Sequence, residues 1–242
     1  IAIPGHPIAM SYGHIFDGVY QYTDFDKVGE SYILKDGVPN NGNAREKIQP
    51  GDIKFKDINR DGVVNDYDLT IIGNPNPKHI GGFGNNFQYK NFDLNVFFQW
   101  SYGGDVLNAN RIEFEGGDPN ARTSLNMFAS FANRWTPENQ TNELYRIGGQ
   151  GPAVYSSRTI EDGSFLRLKT VSLGYRLPNA WLKKINIKSL RVYASAQNLI
   201  TWTRYSGPDP EVSTRPTALT PSFDWSPYPR PRTLTLGVDI SF

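Results

Sequence analysis

The sequence predicts an all-β protein built around long antiparallel strands of the kind that cross a membrane, and three observations predict it. The first is alternation. From Arg232 to Phe242 the residues Leu234, Leu236, Val238, Ile240 and Phe242 are apolar, while Thr235, Gly237, Asp239 and Ser241 between them are small or polar. A period of two puts these sets on opposite faces of one strand, over the roughly 9 to 11 residues that a transmembrane β-strand needs. The second is composition, with 13% Phe, Tyr and Trp alongside 23 Gly and 17 Pro, a mixture that suits strands and turns. The third is spacing. Long polar segments separate the strands, and a compact soluble domain rarely holds loops of that length, whereas outer-membrane barrels carry them on their outer side.

The charge balance excludes other classes. With 25 Lys and Arg against 24 Asp and Glu the net charge is +1, so there is no basic footprint and no nucleic-acid partner is expected. The chain has no Cys, which removes disulfides, thiolate metal sites and thiol nucleophiles together. A mean hydropathy of −0.50 and the lack of any run of about 18 apolar residues argue against membrane-spanning helices. They do not argue against a β-barrel, whose strands are only half apolar. The chain opens on Ile1-Ala2-Ile3-Pro4 without an initiating Met or a signal-peptide pattern, so further sequence is expected upstream.

Taken in order, Pro7 to Tyr22 is expected to form a bent strand, interrupted by Gly13 and Gly18. Thr23 to Gly51 reads as a loop with turn signals at Asp36-Gly37 and Asn40-Asn41-Gly42-Asn43. Gly81 to Tyr89 and Phe92 to Trp100 are the second and third strands, joined by a tight Lys90-Asn91 turn. In the third, Phe92, Leu94, Val96, Phe98 and Trp100 alternate with Asp93, Asn95, Phe97 and Gln99. Ser101 to Gly163 has no sustained period, although a short amphipathic helix fits Ser124 to Trp135. Ser164 to Leu177 is the fourth strand and is ended by Pro178; Ser189 to Trp202 is the fifth. A Pro-rich loop from Gly207 to Pro231 leads to the closing strand.

If the C-terminus lies on the periplasmic side, counting strands back puts segments 21–78, 104–163 and 206–231 outside. The aromatics sort the same way: Trp100 and Trp202 fall at outer ends, and Tyr89, Phe92, Tyr175, Trp181 and Phe242 at inner ends. Two such girdles are what interfacial Trp and Tyr predict for a membrane barrel. Six strands cannot close one, because the smallest have about eight and open edges in lipid leave backbone unpaired. Further strands from the same or another polypeptide are therefore expected.

The most specific short motif is Asp57-Ile58-Asn59-Arg60-Asp61-Gly62-Val63-Val64-Asn65-Asp66-Tyr67-Asp68, which has the spacing of a calcium loop. Calcium takes six to eight oxygen ligands, and Asp57, Asn59, Asp61, Asn65 and Asp68, with the carbonyl of Val63, supply oxygens at the required offsets. Gly62 provides the sharp turn. Asp68 stands where an EF-hand has Glu, and its shorter arm predicts weak, extracellular-range affinity for Ca²⁺. The alternative is an Asx-rich turn without metal. The flanks are too short for two EF-hand helices, so a lone loop is expected, stiffening an outer segment.

Other constellations are weaker. His6, His14 and His79 form no metal pair and read as ordinary surface or packing residues. Glu113 and Glu115 could be posed as glycosidase acids, but solvated charge explains them as well. Trp135, Tyr145, Tyr205, Trp225 and Tyr228 lie in outer loops, where they could stack on sugar or peptide, or simply pack.

Several phrases in order resemble a known family: Gly51-Asp52-Ile53-Lys54-Phe55-Lys56-Asp57, Ile71-Ile72-Gly73-Asn74-Pro75, Tyr89-Lys90-Asn91-Phe92-Asp93-Leu94, Ile160-Glu161-Asp162-Gly163-Ser164-Phe165-Leu166-Arg167-Leu168-Lys169, Gln197-Asn198-Leu199, Gly207-Pro208-Asp209-Pro210-Glu211 and Tyr228-Pro229-Arg230-Pro231-Arg232-Thr233. Together they resemble the C-terminal part of SusC/RagA-type TonB-linked outer-membrane transporters of Bacteroidetes, over essentially all of residues 1–242. The resemblance implies the last six or so strands of a barrel of about 22 strands, with long extracellular loops. It also implies an N-terminal plug supplied elsewhere, a SusD-like surface lipoprotein, energy from the TonB complex, and import of oligosaccharides or peptides. Phe242 would then belong to the signal read by the barrel-assembly machinery, no residue would be catalytic, and substrate contacts stay unassigned. Two other classes remain open. One is a secreted calcium-binding carbohydrate-binding or adhesion β-module, and the other is a surface glycosidase, for which no pair of carboxylates on rigid strands is evident.

Overall fold

The computed structural model describes residues 2–116, 125–151, 155–183, 186–215 and 217–242. In chain order its strands are β1 (Ser11–Gly13), β2 (Phe16–Val19), β3 (Phe25–Val28), β4 (Ser31–Leu34), β5 (Ile53–Phe55), β6 (Thr70–Gly73) and β7 (His79–Tyr89). They continue with β8 (Phe92–Tyr102), β9 (Asp105–Asn108), β10 (Ile160–Asp162), β11 (Phe165–Arg176), β12 (Ser189–Thr203), β13 (Phe223–Asp224) and β14 (Thr233–Ser241). The helices α1 (Asn110–Gly116) and α2 (Asn179–Leu182) are short. The chain divides into two compact units. One comprises Ile1–Pro75, Asp105–Glu161 and Val212–Pro227, the other Asn76–Gly104, Asp162–Glu211 and Tyr228–Phe242.

The second unit is an antiparallel sheet in the order β14-β12-β11-β8-β7. It has five strands where the sequence suggested six. Pro7 to Tyr22 does not join it: the run forms two short strands, β1 and β2, broken at His14–Ile15, which pair with β6 and β5 in the first unit. Gly18 adopts a φ of +98°, a left-handed conformation that only Gly takes at little cost, and no run of sheet-crossing length survives.

Register carries the alternation across the sheet. Leu173 lies between Leu94 and Ala194, and Ala194 faces Leu236; Val171 lies likewise between Val96 and Ala196, and Ala196 faces Leu234. The aromatic rows also align. Leu166 pairs with both Trp100 and Trp202 at one end, and Phe92 pairs with Tyr89 and Tyr175 at the other, its ring 4.6 Å from that of Tyr175. From Phe92 to Trp100 the rise is roughly 26 Å along the strand at about 3.3 Å per residue. This apolar face is uncovered, with Leu236 86% exposed. A bulge at Lys169 shifts the register of β11 against both neighbours, yet the alternation resumes on the same faces beyond it, because the extra residue is absorbed locally.

The opposite face is polar and cross-linked. Arg191 on β12 reaches over β11 to Asp93 on β8 through two hydrogen bonds, Nε to Oδ1 at 2.9 Å and Nη2 to Oδ2 at 2.6 Å, and its Nη1 lies 3.2 Å from Asp239 on β14. Gly174 lies between them. A Cβ there would sit 2.6 Å from Asp93 Oδ1 and 2.5 Å from Arg191 Nη2.

The first unit is folded rather than structureless, which corrects the expectation of plain loops. One apolar cluster gathers Val19, Ile53, Phe55, Val64, Trp135, Leu144 and Tyr145, and another Tyr20, Phe25, Leu34 and Ile48. Their members come from runs of only a few residues each, too short to show a period. Part of the helix expected over Ser124 to Trp135 lies outside the described residues; within it, Ala129–Asn133 is a 3₁₀ helix.

Replacing Gly174 by Ala is expected to separate Arg191 from Asp93 and to destabilise the folded protein by about 1–3 kcal/mol. A lower denaturant midpoint checks this, with Gly84→Ala as the comparison, since a Cβ at Gly84 meets only Phe97 Cδ2, at 3.5 Å.

Candidate functional site

The Asp57–Asp68 loop is positioned from both ends. Phe55 on β5 and Val64 within the loop are buried in the first apolar cluster, and β6 leads the chain out to pair with β1. Arg60 and Gly62 take left-handed φ values of 64° and 84°, which wind the loop tightly. The neighbouring turn braces it, since Asn40 donates its N–H to the Gly62 carbonyl and its Oδ1 accepts from Val64 N.

Every sequence-predicted ligand is placed by the loop's own hydrogen bonds. Asp57 accepts from Arg60 N at 2.6 Å and Gly62 N at 2.8 Å. Asn59 Oδ1 accepts from Asp61 N, and Asp61 Oδ1 accepts from Val63 N. Asn65 Oδ1 caps the turn at Tyr67 N, while its Nδ2 donates to the Val63 carbonyl. Asp68 is fully buried, and its carboxylate takes Ile58 N at 2.7 Å and Asn65 N at 2.9 Å. It therefore clasps the beginning of the loop to its end. The side-chain oxygens and the Val63 carbonyl are hard ligands, the chemistry that calcium prefers, although Asp68 Oδ1 already accepts from both Ile58 N and Asn59 N. Among the described residues no three carboxylates or imidazoles converge into a metal-holding group.

Other residues singled out in the sequence have structural partners. Glu115 on α1 is buried between Arg111 Nε at 3.0 Å and Arg158 Nη1 at 2.6 Å, and accepts from the Ser130 hydroxyl at 2.7 Å. Burial pushes its carboxyl up, but Ser130, Arg111 and Arg158 outweigh this and hold it below the usual glutamate value. It is an anchor in a cationic cage. Trp135, Tyr145 and Tyr205 are buried, which leaves only Trp225 and Tyr228 of the five loop aromatics exposed. His14 is buried beside Phe55, with ring centroids 5.3 Å apart, and burial lowers its pKa despite Asp68 and Asp66 nearby.

Sequence reasoning left unassigned a second polar constellation, on the polar face of the sheet. Arg167 on β11, 2% exposed by side chain, donates to Asp209 Oδ1 at 2.6 Å and Glu211 Oε2 at 2.8 Å. Arg230 meets the same two carboxylates at 3.0 and 2.8 Å. Three of the phrases quoted above, those around Arg167, Asp209 and Arg230, thus converge in one ion-pair network.

The chain can now be set beside known proteins. No protein-family model matches it. It is 36% identical to TonB-dependent receptor P3 of Formosa agariphila over 98% of its own length. It is 32% identical to TonB-dependent receptor SusC of Bacteroides thetaiotaomicron over 81% of its length. The chain belongs to the SusC/RagA family of TonB-dependent receptors. It spans about a fifth of these relatives, 22% of the first and 18% of the second, and they are receptors, not enzymes. The fold agrees. The structure of the RagAB peptide importer in its 'closed-closed' state matches all of this chain with a TM-score of 0.70 at 24% identity, over 25% of that chain. The 'open-open' state matches with a TM-score of 0.68 at 25% identity, over 24% of that chain. The two-faced sheet of this SusC/RagA-family chain is accordingly part of a β-barrel.

Because the native pKa of Glu115 is depressed, its stabilising contribution is present above about pH 4.5 and is lost as the pH falls through the lower native value. Glu115→Gln is expected to cost about 1–3 kcal/mol at neutral pH and to reduce the fall in melting temperature on acidification. Thermal melts between pH 7 and pH 3 read both effects.

Proposed function

We propose that this chain is the C-terminal part of a TonB-dependent outer-membrane transporter that imports oligosaccharides or peptides together with a SusD-like surface lipoprotein. The observation that carries the reading is the five-stranded sheet itself. One face is apolar and bordered by two aromatic rows in register, the other is polar and ion-paired, and strands β14 and β7 form its two edges. In lipid a bare strand edge forfeits its backbone hydrogen bonds, so these edges require the remaining strands of a closed barrel. Phe242, exposed just past β14, is the residue we assign to recognition by the barrel-assembly machinery.

The Asp57–Asp68 loop is proposed to hold Ca²⁺ through Asp57, Asn59, Asp61, the Val63 carbonyl, Asn65 and Asp68. The all-oxygen donor set supports this, as does a winding already fixed by the loop's backbone N–H bonds. The ion would neutralise a loop carrying four carboxylates, Asp57, Asp61, Asp66 and Asp68, against one Arg, and stiffen it.

Two measurements test these statements on the full-length protein. In outer-membrane fractions, a band that shifts on boiling is expected for wild type. Val171→Arg on the apolar face should cost about 2–4 kcal/mol of folding free energy near the bilayer midplane and deplete the shifting band, as should deletion of Phe242. Ser172→Arg, one residue along on the polar face, should retain it; equal loss from both substitutions contradicts the face assignment. Calorimetry should show chelator-reversible Ca²⁺ binding with Kd of about 10⁻⁴–10⁻³ M, abolished by Asp57→Ala. Binding that survives this substitution overturns the ligand assignment.

A further inference from the structure

At the end of the sheet that carries Trp100, the apolar face finishes in a cluster built by β7 and β8. His79 pairs with Tyr102, and Gly81 with Trp100. Gly81 leaves room for the indole to lie across β7, since a Cβ there would come within 2.4 Å of Trp100 Cζ2. From that position Trp100 Nε1 donates to His79 Nδ1 at 3.1 Å. An indole N–H only donates, so Nδ1 is the acceptor and the imidazole carries its proton on Nε2. The same imidazole stacks on Tyr102, with ring centroids 5.2 Å apart and planes inclined by 25°. Lys78 completes the cluster. Its N–H donates to the Tyr102 carbonyl at 2.8 Å, its stem runs where a Cβ on Gly103 would meet its Cγ at 2.7 Å, and its Nζ lies 6.0 Å from the Tyr102 ring centroid.

Three donors are thus gathered on two adjacent strands: the Lys78 ammonium, His79 Nε2–H and the Tyr102 hydroxyl. All three residues are exposed, and among the described residues none of these donors has a hydrogen-bond or ion-pair partner. The polar face is different, because there Arg167, Arg191 and Arg230 each meet a carboxylate. A donor set with an unneutralised positive charge selects an anion with several acceptor oxygens. Its position selects the source. Tyr102 stands two residues, about 7 Å, beyond Trp100 of the outer aromatic row, the level at which lipid headgroups meet water. Phe83 and Phe98 pair on the same face four residues further in, where acyl chains run. A soluble phosphate would use the donors and leave this apolar face idle. We propose that Lys78, His79 and Tyr102 hold the phosphate of an outer-leaflet lipid whose acyl chains lie along Phe98 and Phe83. This rests on the reading of the sheet as a membrane-barrel wall with its Trp100 end outermost, and adds a fixed lipid to that wall.

The test uses the full-length protein, stripped of lipid in detergent and then incubated with diphosphoryl lipid A, with the same lipid A after removal of its phosphates, or with inorganic phosphate. Native mass spectrometry counts the bound lipid, and calorimetry reads inorganic phosphate. Wild type is expected to retain diphosphoryl lipid A in preference to the dephosphorylated form and to bind inorganic phosphate far more weakly. Lys78→Gln and His79→Phe should each weaken lipid A binding about tenfold or more, equivalent to about 1.4 kcal/mol, as should Gly81→Ala, which displaces the indole that orients His79. Lys90→Gln, which removes an exposed Lys beside the Tyr89 ring at the opposite end of β7, should leave binding unchanged. Wild-type affinity in both Lys78→Gln and His79→Phe, equal loss in Lys90→Gln, or equal retention of dephosphorylated lipid A overturns the proposal. Inorganic phosphate bound as tightly as the lipid also overturns it, since the site would then serve a soluble anion. The boiling-shifted band is read on the same samples: a band that persists alongside unaltered lipid binding in the variants rejects this site and leaves the barrel standing, whereas its absence in wild type refutes the barrel reading itself.

Discussion

Antiparallel pairing across β7, β8, β11, β12 and β14 decides which medium each side chain meets, because a slip of one residue would carry every apolar side chain to the polar face. The chain guards this register from the polar side. Arg191 grips Asp93 two strands away and also reaches Asp239, and it can do so only because the intervening residue is Gly174. A bidentate guanidinium–carboxylate pair has demanding geometry, so the contact is made in one register alone. The apolar face has no such device, since dispersion and burial are indifferent to which Leu meets which Val.

The same logic explains the network around Arg167. A guanidinium buried to this depth would be prohibitive without partners, and here Asp209 and Glu211 surround it while Arg230 balances their second charge. Such a network also ties residues that precede and follow a long excursion of chain to Arg167, near the N-terminal end of β11. Removing any one member would strand its partners, so three separated stretches of sequence depend on one another.

In the first unit, segments of weak pattern become ordered by converging on shared apolar clusters and by satisfying their polar groups locally. The Asp57–Asp68 loop is the clearest case, since its Asx side chains serve the loop's own N–H groups before any ligand is considered. The winding of the loop is thus fixed by its own hydrogen bonds.

What the sequence determined by itself was whatever depends on local periodicity or fixed spacing. All five sheet strands were legible within two residues, because a half-buried strand writes its environment into every second residue. The aromatic rows and the twelve-residue loop were legible for similar reasons. The tertiary structure decided what depends on residues far apart in the chain. Pro7 to Tyr22 left the sheet because its two halves pair with β6 and β5 instead, and Glu115 proved to be an ion-paired anchor because Arg158 and Ser130 fold back onto it. The convergence on Arg167 was invisible in advance, since no period or spacing links positions brought together only by packing.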